Sequence, residues 1–261
     1  MHGPERTGSV DLPNIAAAIL TRLRARRPRV HCITNTVAQQ FTANMLLAAG
    51  AIPSMTVAVD EVASFVVRAD ALLVNLGTFD AERRAATDIA IEAAIDEGIP
   101  WALDPVLIDR SDQRAAYARE LVAKGPRAVR LNRAEFRALA GRQAERHALK
   151  RFAVENLTTV GLTGASDLIT DGVRLVTIDN GHSLMESVTA MGCAASALVA
   201  ACLAVEADAV IATAAGLLIL DIAGEVAAKR ARGPGSFAVE ILDAIHTVDG
   251  DTIKSLARVE W

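Results

Sequence analysis

From Leu12 onward, short apolar runs of strand length alternate with longer stretches in which apolar residues recur at helical spacing. The short runs predict strands over 30–33, 52–55, 71–76, 101–103, 128–131, 159–162, 167–170 and 173–178. The longer stretches predict helices over 12–27, stopped by Pro28, and over 38–49, 61–69, 81–97, 113–123, 133–140 and 143–155. Alternation of this kind predicts an α/β fold with a mainly parallel central sheet and helices on both faces. Asp171-Gly172 sits between two β-rich runs and signals a hairpin, so an antiparallel edge is expected there. The C-terminal third reads as almost wholly helical. With no repeat, low-complexity tract or linker in view, the expectation is a polar tail over 1–11 and a single domain over 12–261.

Composition narrows this picture. Apolar residues make up 52% of the 261 residues and aromatics only 3%, so the core must be built from Ala, Val, Leu and Ile. A net charge of −4 gives no electrostatic case for nucleic acid or an anionic membrane. The one basic cluster, Arg22, Arg24, Arg26, Arg27 and Arg29, closes the first predicted helix, where cations complement the dipole. Cys32, Cys193 and Cys202 lack the spacing of a disulfide framework or zinc site and fit a reducing cytoplasm, and the histidines show no metal-ligand spacing. The first residues lack the apolar core of a secretory leader. The most apolar stretch, over 194–220, is broken by Glu206 and Asp208, and neither half is expected to reach the ~20 residues that span a bilayer. A soluble protein is the expectation.

Candidate chemistry concentrates in two places. Past the turn-formers Asp179-Asn180-Gly181-His182-Ser183, the run Ala190-Met191-Gly192-Cys193 enters a helix of small residues. A glycine at such an entry lets a ligand approach the first-turn N–H groups, and the positive end of the dipole suits a phosphate. Cys193 falls in that turn, where the dipole is expected to lower its thiol pKa and nearby phosphates to raise it. A buried helix that happens to start at a glycine fits the same residues. The second place is the row of polar groups that close the predicted strands: Asn75, Asp104, Asn132 with Glu135, and Thr163. Open α/β sheets bind ligands at such carboxyl ends, though any one of these residues could instead cap a helix.

Ordered motifs carry a resemblance across nearly the whole chain past the tail. They are His31-Cys32-Ile33-Thr34-Asn35, Phe41-Thr42-Ala43-Asn44, Gly50-Ala51-Ile52-Pro53-Ser54-Met55, Asn75-Leu76-Gly77-Thr78 and Leu103-Asp104-Pro105-Val106. Arg130-Leu131-Asn132-Arg133-Ala134-Glu135, Leu162-Thr163-Gly164-Ala165-Ser166-Asp167, Asn180-Gly181-His182, Gly192-Cys193 and Gly233-Pro234-Gly235-Ser236-Phe237 follow in order. In these the chain resembles the hydroxyethylthiazole kinases of the ribokinase-like superfamily. The resemblance implies transfer of phosphate from ATP, with Mg²⁺, to the hydroxyl of 4-methyl-5-(2-hydroxyethyl)thiazole in thiamine biosynthesis, by a cytoplasmic homotrimer. It places Asn35, Val37 and Met55 in the thiazole pocket, Met55 through its backbone, with Ala190 beside the substrate. Arg130 and Thr163 would contact ATP, Asn132 belongs to an Asn-x-x-Glu element, and Asp104 and Glu135 would organise Mg²⁺. Gly192 and Cys193 would stabilise the moving phosphoryl group, Cys193 standing where related sugar kinases carry an aspartate base. The chain departs from the family at Ala190-Met191, where Gly-Thr is usual, and at Leu107-Ile108-Asp109-Arg110-Ser111, where a glycine-rich segment is usual. These departures keep two alternatives open: a kinase of another small alcohol, such as a hydroxymethylpyrimidine, and a relative that binds ligand with weakened turnover.

Overall fold

The computed structural model describes residues 10–261, so residues 1–9 of the expected tail lie outside the described residues. Asp11 already belongs to the first helix, capping it through a hydrogen bond from the Asn14 N–H. The chain then alternates α1 (Leu12–Arg26), β1 (Arg29–Ile33), α2 (Gln39–Ala49), β2 (Ile52–Ser54), α3 (Val62–Val66), β3 (Ala71–Asn75), α4 (Ala81–Asp96) and β4 (Trp101–Asp104). It continues through α5 (Asp112–Ala123), β5 (Ala128–Asn132), α6 (Arg133–Ala140), α7 (Arg146–Asn156), β6 (Thr159–Thr163), β7 (Asp167–Thr170) and β8 (Leu175–Ile178). Four helices follow, α8 (Met191–Leu203), α9 (Ala209–Ala228), α10 (Pro234–Thr247) and α11 (Gly250–Leu256), before β9 (Val259–Glu260).

The strands form one sheet in the order β2-β1-β3-β4-β5-β6-β7-β8-β9. Pairing is parallel from β2 through β6 and antiparallel from β6 to β9, as the alternation and the Asp171-Gly172 hairpin predict. The fold is α/β with a mainly parallel central sheet. Where element ends differ from the sequence pattern, local bonding explains it. β8 starts at Leu175 because the Asp171 carboxylate accepts the N–H groups of Val173 and Arg174 and holds both in the turn. The helix expected over 61–69 contracts to Val62–Val66, with no side-chain cap at Glu61 and only Val62 and Val66 buried. β9 was not legible at all: two residues are too few for a periodic signal.

Alternate strand residues divide between two cores. Val30, Cys32, Ala71, Leu73, Ala102 and Ala128 face α1, α2, α8, α9, α10 and α11. Leu72, Val74, Trp101, Leu103, Val129, Leu131, Val160 and Leu162 face α4, α5, α6 and α7. The first face is built from smaller residues, and α8 and α9 lie on it. In α8 every residue from Cys193 to Leu203 is buried. The α9 helix corrects one expectation. At 20 residues it is long and apolar enough, by length and composition, to cross a membrane. It passes Leu220 because Asp221 and Glu225 do not interrupt it, and 83% of its most apolar window is buried inside the fold.

Small residues set how closely these helices sit. A Cβ added at Gly216 of α9 would stand 3.1 Å from both the Cα and the N of Val199 in α8. Because the obstruction is backbone, relief requires the helices to part. Gly216→Ala is therefore expected to lower stability by about 1–3 kcal/mol, measured by urea denaturation. An unchanged midpoint would show slack between α8 and α9.

Candidate active site

The carboxyl ends of β1, β3, β4, β5 and β6 converge on the first turn of α8. Parallel pairing places Asn75 beside Asp104 and Asn132 beside Thr163. Helix α8 enters from Ala190, which offers no side-chain cap, so its first-turn N–H groups face the strand ends without a capping partner. Gly192 lies directly over Arg130: a Cβ there would stand 2.6 Å from the guanidinium Nη1.

Cys193 lies in a buried chain of polar groups. Its Sγ accepts from the Asn35 amide at 3.2 Å and from the Asn75 amide at 3.3 Å. Asn75 also donates to Asp104 Oδ2 at 2.7 Å and accepts from Asn35 at 3.1 Å. Asn35 holds the turn before α2 as well, its Oδ1 accepting the Ala38 N–H at 2.9 Å. Asp104 is fully buried, and its Oδ1 has no hydrogen-bond partner. Burial pushes its carboxyl up, and Glu135 adds to this, against the pull of Arg130. The thiol of Cys193 is pushed up to about 11, first by burial and then by the charge of Asp104. This reverses the expected lowering by the helix dipole: the desolvation of a buried thiol outweighs the half-charge of a helix end.

On the far side of α8, Arg130 donates from Nη2 to Thr163 Oγ1 at 2.6 Å. Together they line a cavity of about 590 Å³ with Asn132, Gly164, Asn180, Gly181, His182, Met191, Gly192 and Asp221. Asn132 and Glu135 form a reciprocal capping box at the start of α6. Glu135 is occupied twice over, Oε2 accepting the Asn132 N–H and Oε1 the Leu107 N–H. Among the described residues no group of three or more His, Cys, Asp or Glu side chains is arranged to hold a metal.

The structure thus brings together Asn35, Asp104, Arg130, Asn132, Glu135, Thr163, Gly192 and Cys193. Val37 and Met55 stand apart from the cavity. Val37 is 71% exposed, whereas Met55 packs partly against the first core. The segment that carries Met55 is pinned on both sides by the buried His31, which bonds Ser54 Oγ through Nδ1 and the Thr56 carbonyl through Nε2. Burial lowers the imidazole to about 4, so it is neutral, with Nε2–H donating. Sequence reasoning placed Asn75 in the row of polar strand ends without giving it a specific role, and missed Asp167 and Asp221. A lone carboxylate in the apolar run Leu217-Leu218-Ile219-Leu220-Asp221-Ile222-Ala223 was the available signal for the last.

The two departures share a backbone feature. Ala190 has φ 68° and Leu107 φ 60°, both in the left-handed region that glycine adopts without strain.

Comparisons with known proteins follow the same lines. The model of the hydroxyethylthiazole kinase family matches residues 20–251. A probable hydroxyethylthiazole kinase of Agrobacterium fabrum is 45% identical over 254 residues, covering 97% of this chain and 98% of that protein. The solved structure of the hydroxyethylthiazole kinase protein from Pyrococcus horikoshii OT3 superposes with a TM-score of 0.91 at 36% identity, over 94% of this chain and 98% of that one. A ribokinase-like superfamily protein from Enterococcus faecalis V583 shares the fold alone, with a TM-score of 0.62 at 13% identity over 92% of this chain and 90% of that one.

Two outcomes are expected. Ala190→Gly relieves a left-handed alanine that costs about 1 kcal/mol and should raise Tm by roughly 2–4 °C in a calorimetric scan. A fall in Tm would mean the α8 entry depends on the methyl group. Cys193, protonated below about 11, should react with iodoacetamide at pH 8 on the order of 10²-fold more slowly than an unperturbed thiol. Rapid labelling of the Cys193 peptide, followed by mass spectrometry, would contradict the raised value.

Proposed function

The chain belongs to the hydroxyethylthiazole kinase family, and from that premise we propose how its residues phosphorylate the hydroxyl of 4-methyl-5-(2-hydroxyethyl)thiazole with ATP. The observation that carries the reading is the uncapped N-terminus of α8 set against the Arg130 guanidinium. Amides at the positive end of a helix and a forked cation together make a site for a polyanion. Phosphoryl transfer passes through a loose transition state that asks chiefly for alignment and charge neutralisation, and this arrangement offers both.

Arg130 and Thr163 bind the phosphates of ATP, with Asn132 at the wall of the same cavity. Arg130 supplies the forked donor, and Thr163 fixes its orientation. The backbone N–H groups at Gly192 and Cys193 neutralise charge on the moving phosphoryl group, and the missing side chain at Gly192 lets the Arg130 guanidinium come up against this turn. Asn35 and Asn75 orient Cys193 toward the acceptor hydroxyl. A thiol that keeps its proton at neutral pH serves as a positioning group and not as an obligatory base. Met55, Val37 and Ala190 border the thiazole, with the His31 staple fixing the Met55 backbone.

Mg²⁺ fits the donor set. The buried, unpartnered Oδ1 of Asp104 is a hard oxygen, and Glu135, with both oxygens already accepting amides, would act through water. Bound there, Mg²⁺ supplies charge neutralisation on the triphosphate. A homotrimer agrees with the exposed Val37, Leu47 and Ile52 on and beside the β2 edge, which a neighbouring subunit would cover. The protein is assigned to the cytoplasm and to thiamine synthesis, with small molecules as its partners and no nucleic acid or membrane.

Coupled ADP release with a panel of thiazole and pyrimidine alcohols tests the reading. Turnover should require the thiazole alcohol. Asp104→Asn should lower kcat by on the order of 10²-fold. Arg130→Lys should raise KM for ATP more than for the alcohol, because a point charge does not reproduce the fork. Cys193→Ser should retain measurable turnover. Preference for the pyrimidine alcohol, or wild-type turnover in Asp104→Asn, would overturn the assignment.

A further inference from the structure

Of the carboxylates that line the cavity, Asp221 alone carries a buried oxygen with no hydrogen-bond partner among the described residues. Asp221 of α9 is only 8% exposed, lines the cavity with Arg130, Thr163, Gly181 and Gly192, and has no hydrogen-bond partner for its Oδ2. Its surroundings make that exceptional. Asp167 of β7 accepts the Gly164 N–H. Glu225, one turn along α9, accepts from Arg258, Asn180 and the Gly181 N–H. Each neighbouring acid is compensated by protein donors, and Asp221 is not.

A buried polar atom without a partner costs stability, and on a residue that lines a cavity a bound ligand can complete it. The charges acting on Asp221 decide which kind. Burial, Asp167 and Glu225 oppose its ionisation, and only Arg130 favours it, so the carboxyl is held well above the usual range. A carboxyl that keeps its proton is a hydrogen-bond donor, and no protein atom accepts from Oδ2. The matching group is rich in acceptors and poor in donors, as phosphate oxygens are.

We propose that Asp221 is a further contact of the nucleotide, donating a hydrogen bond from its carboxyl group to a phosphate oxygen bound beside Arg130. The inference rests on the reading of this cavity as the nucleotide site. It extends that site to a residue of α9, which sequence motifs of the strand ends did not include. It also gives a reason for an acid within the apolar run Leu217–Ala223 of α9. The neutral donor adds a contact to the phosphates without adding the positive charge that a lysine would bring among Asp104, Asp167 and Glu225.

Calorimetric titration of the full-length protein with AMP-PCP, tripolyphosphate and adenosine separates the possibilities. Asp221→Leu should weaken tripolyphosphate and AMP-PCP by about tenfold and leave adenosine unchanged. Asp221→Asn, which keeps a neutral donor, should bind both phosphates within about threefold of wild type. In the free protein Asp221→Leu should raise Tm, because it removes an uncompensated buried carboxyl. Loss of adenosine affinity with tripolyphosphate unchanged would assign Asp221 to the ribose or base and overturn the proposal. So would a lowered Tm with all three affinities intact, the signature of a structural residue. Arg130→Met, titrated in parallel, marks the cavity itself: if it too leaves tripolyphosphate binding unchanged, the nucleotide reading falls along with the proposal.

Discussion

Helix α8 can sit where it does because the sheet beneath it is made of small residues. Ala71, Ala102 and Ala128 face it, and Gly216 of α9 lets the neighbouring helix press against its backbone. With few aromatic side chains available, dense packing depends on bringing backbones close together. The same closeness fixes the height of the α8 N-terminus above the strand ends. Gly192 then meets the Arg130 guanidinium, and Cys193 meets the amides of Asn35 and Asn75. The site's geometry is a consequence of how its core is filled.

Gathering buried groups of both signs around that point creates an electrostatic problem that the structure solves unevenly. Arg130 stands among Asp104, Asp167 and Asp221, and its charge pulls on all three carboxyls. Burial outweighs that pull at each, so the acids are shifted upward as a set. The capping box at Asn132 and Glu135 shows the opposite solution, in which backbone amides satisfy a buried carboxylate completely. Asp104 Oδ1 and Asp221 Oδ2 are left without partners, and Asp221 lines the cavity beside Arg130. That division separates residues that build the site from residues that await a ligand.

Family departures that look severe in a sequence turn out to be matters of backbone. Ala190 and Leu107 adopt the left-handed conformation that glycine would take, so the chain path is kept while local strain rises. Each lies at an entrance to the site: Ala190 begins α8, and the Leu107 N–H is held by Glu135. Fold and site survive the replacements because surrounding packing dictates the path.

Much of the molecule was legible in its sequence. Short apolar runs, helical spacing and turn residues determined the alternating elements, the parallel sheet and the antiparallel edge at Asp171-Gly172, because these depend on local patterning. Asp104, Thr163 and Cys193 were named from their places at strand and helix ends, Asn35 and Arg130 from the family resemblance, and the structure brings all five together. What only the tertiary structure decided were quantities that arise between elements. The thiol of Cys193 is raised and not lowered, because desolvation depends on everything packed around it. Asn75 joins the site through contacts to residues far along the chain, and β9 exists only because β8 offers an unpaired edge. Asp221 could be seen as an oddity in an apolar helix, but its lack of a partner is a property of the folded cavity. Local pattern sets which elements form; their packing decides which polar groups are completed by the protein and which are left for a ligand.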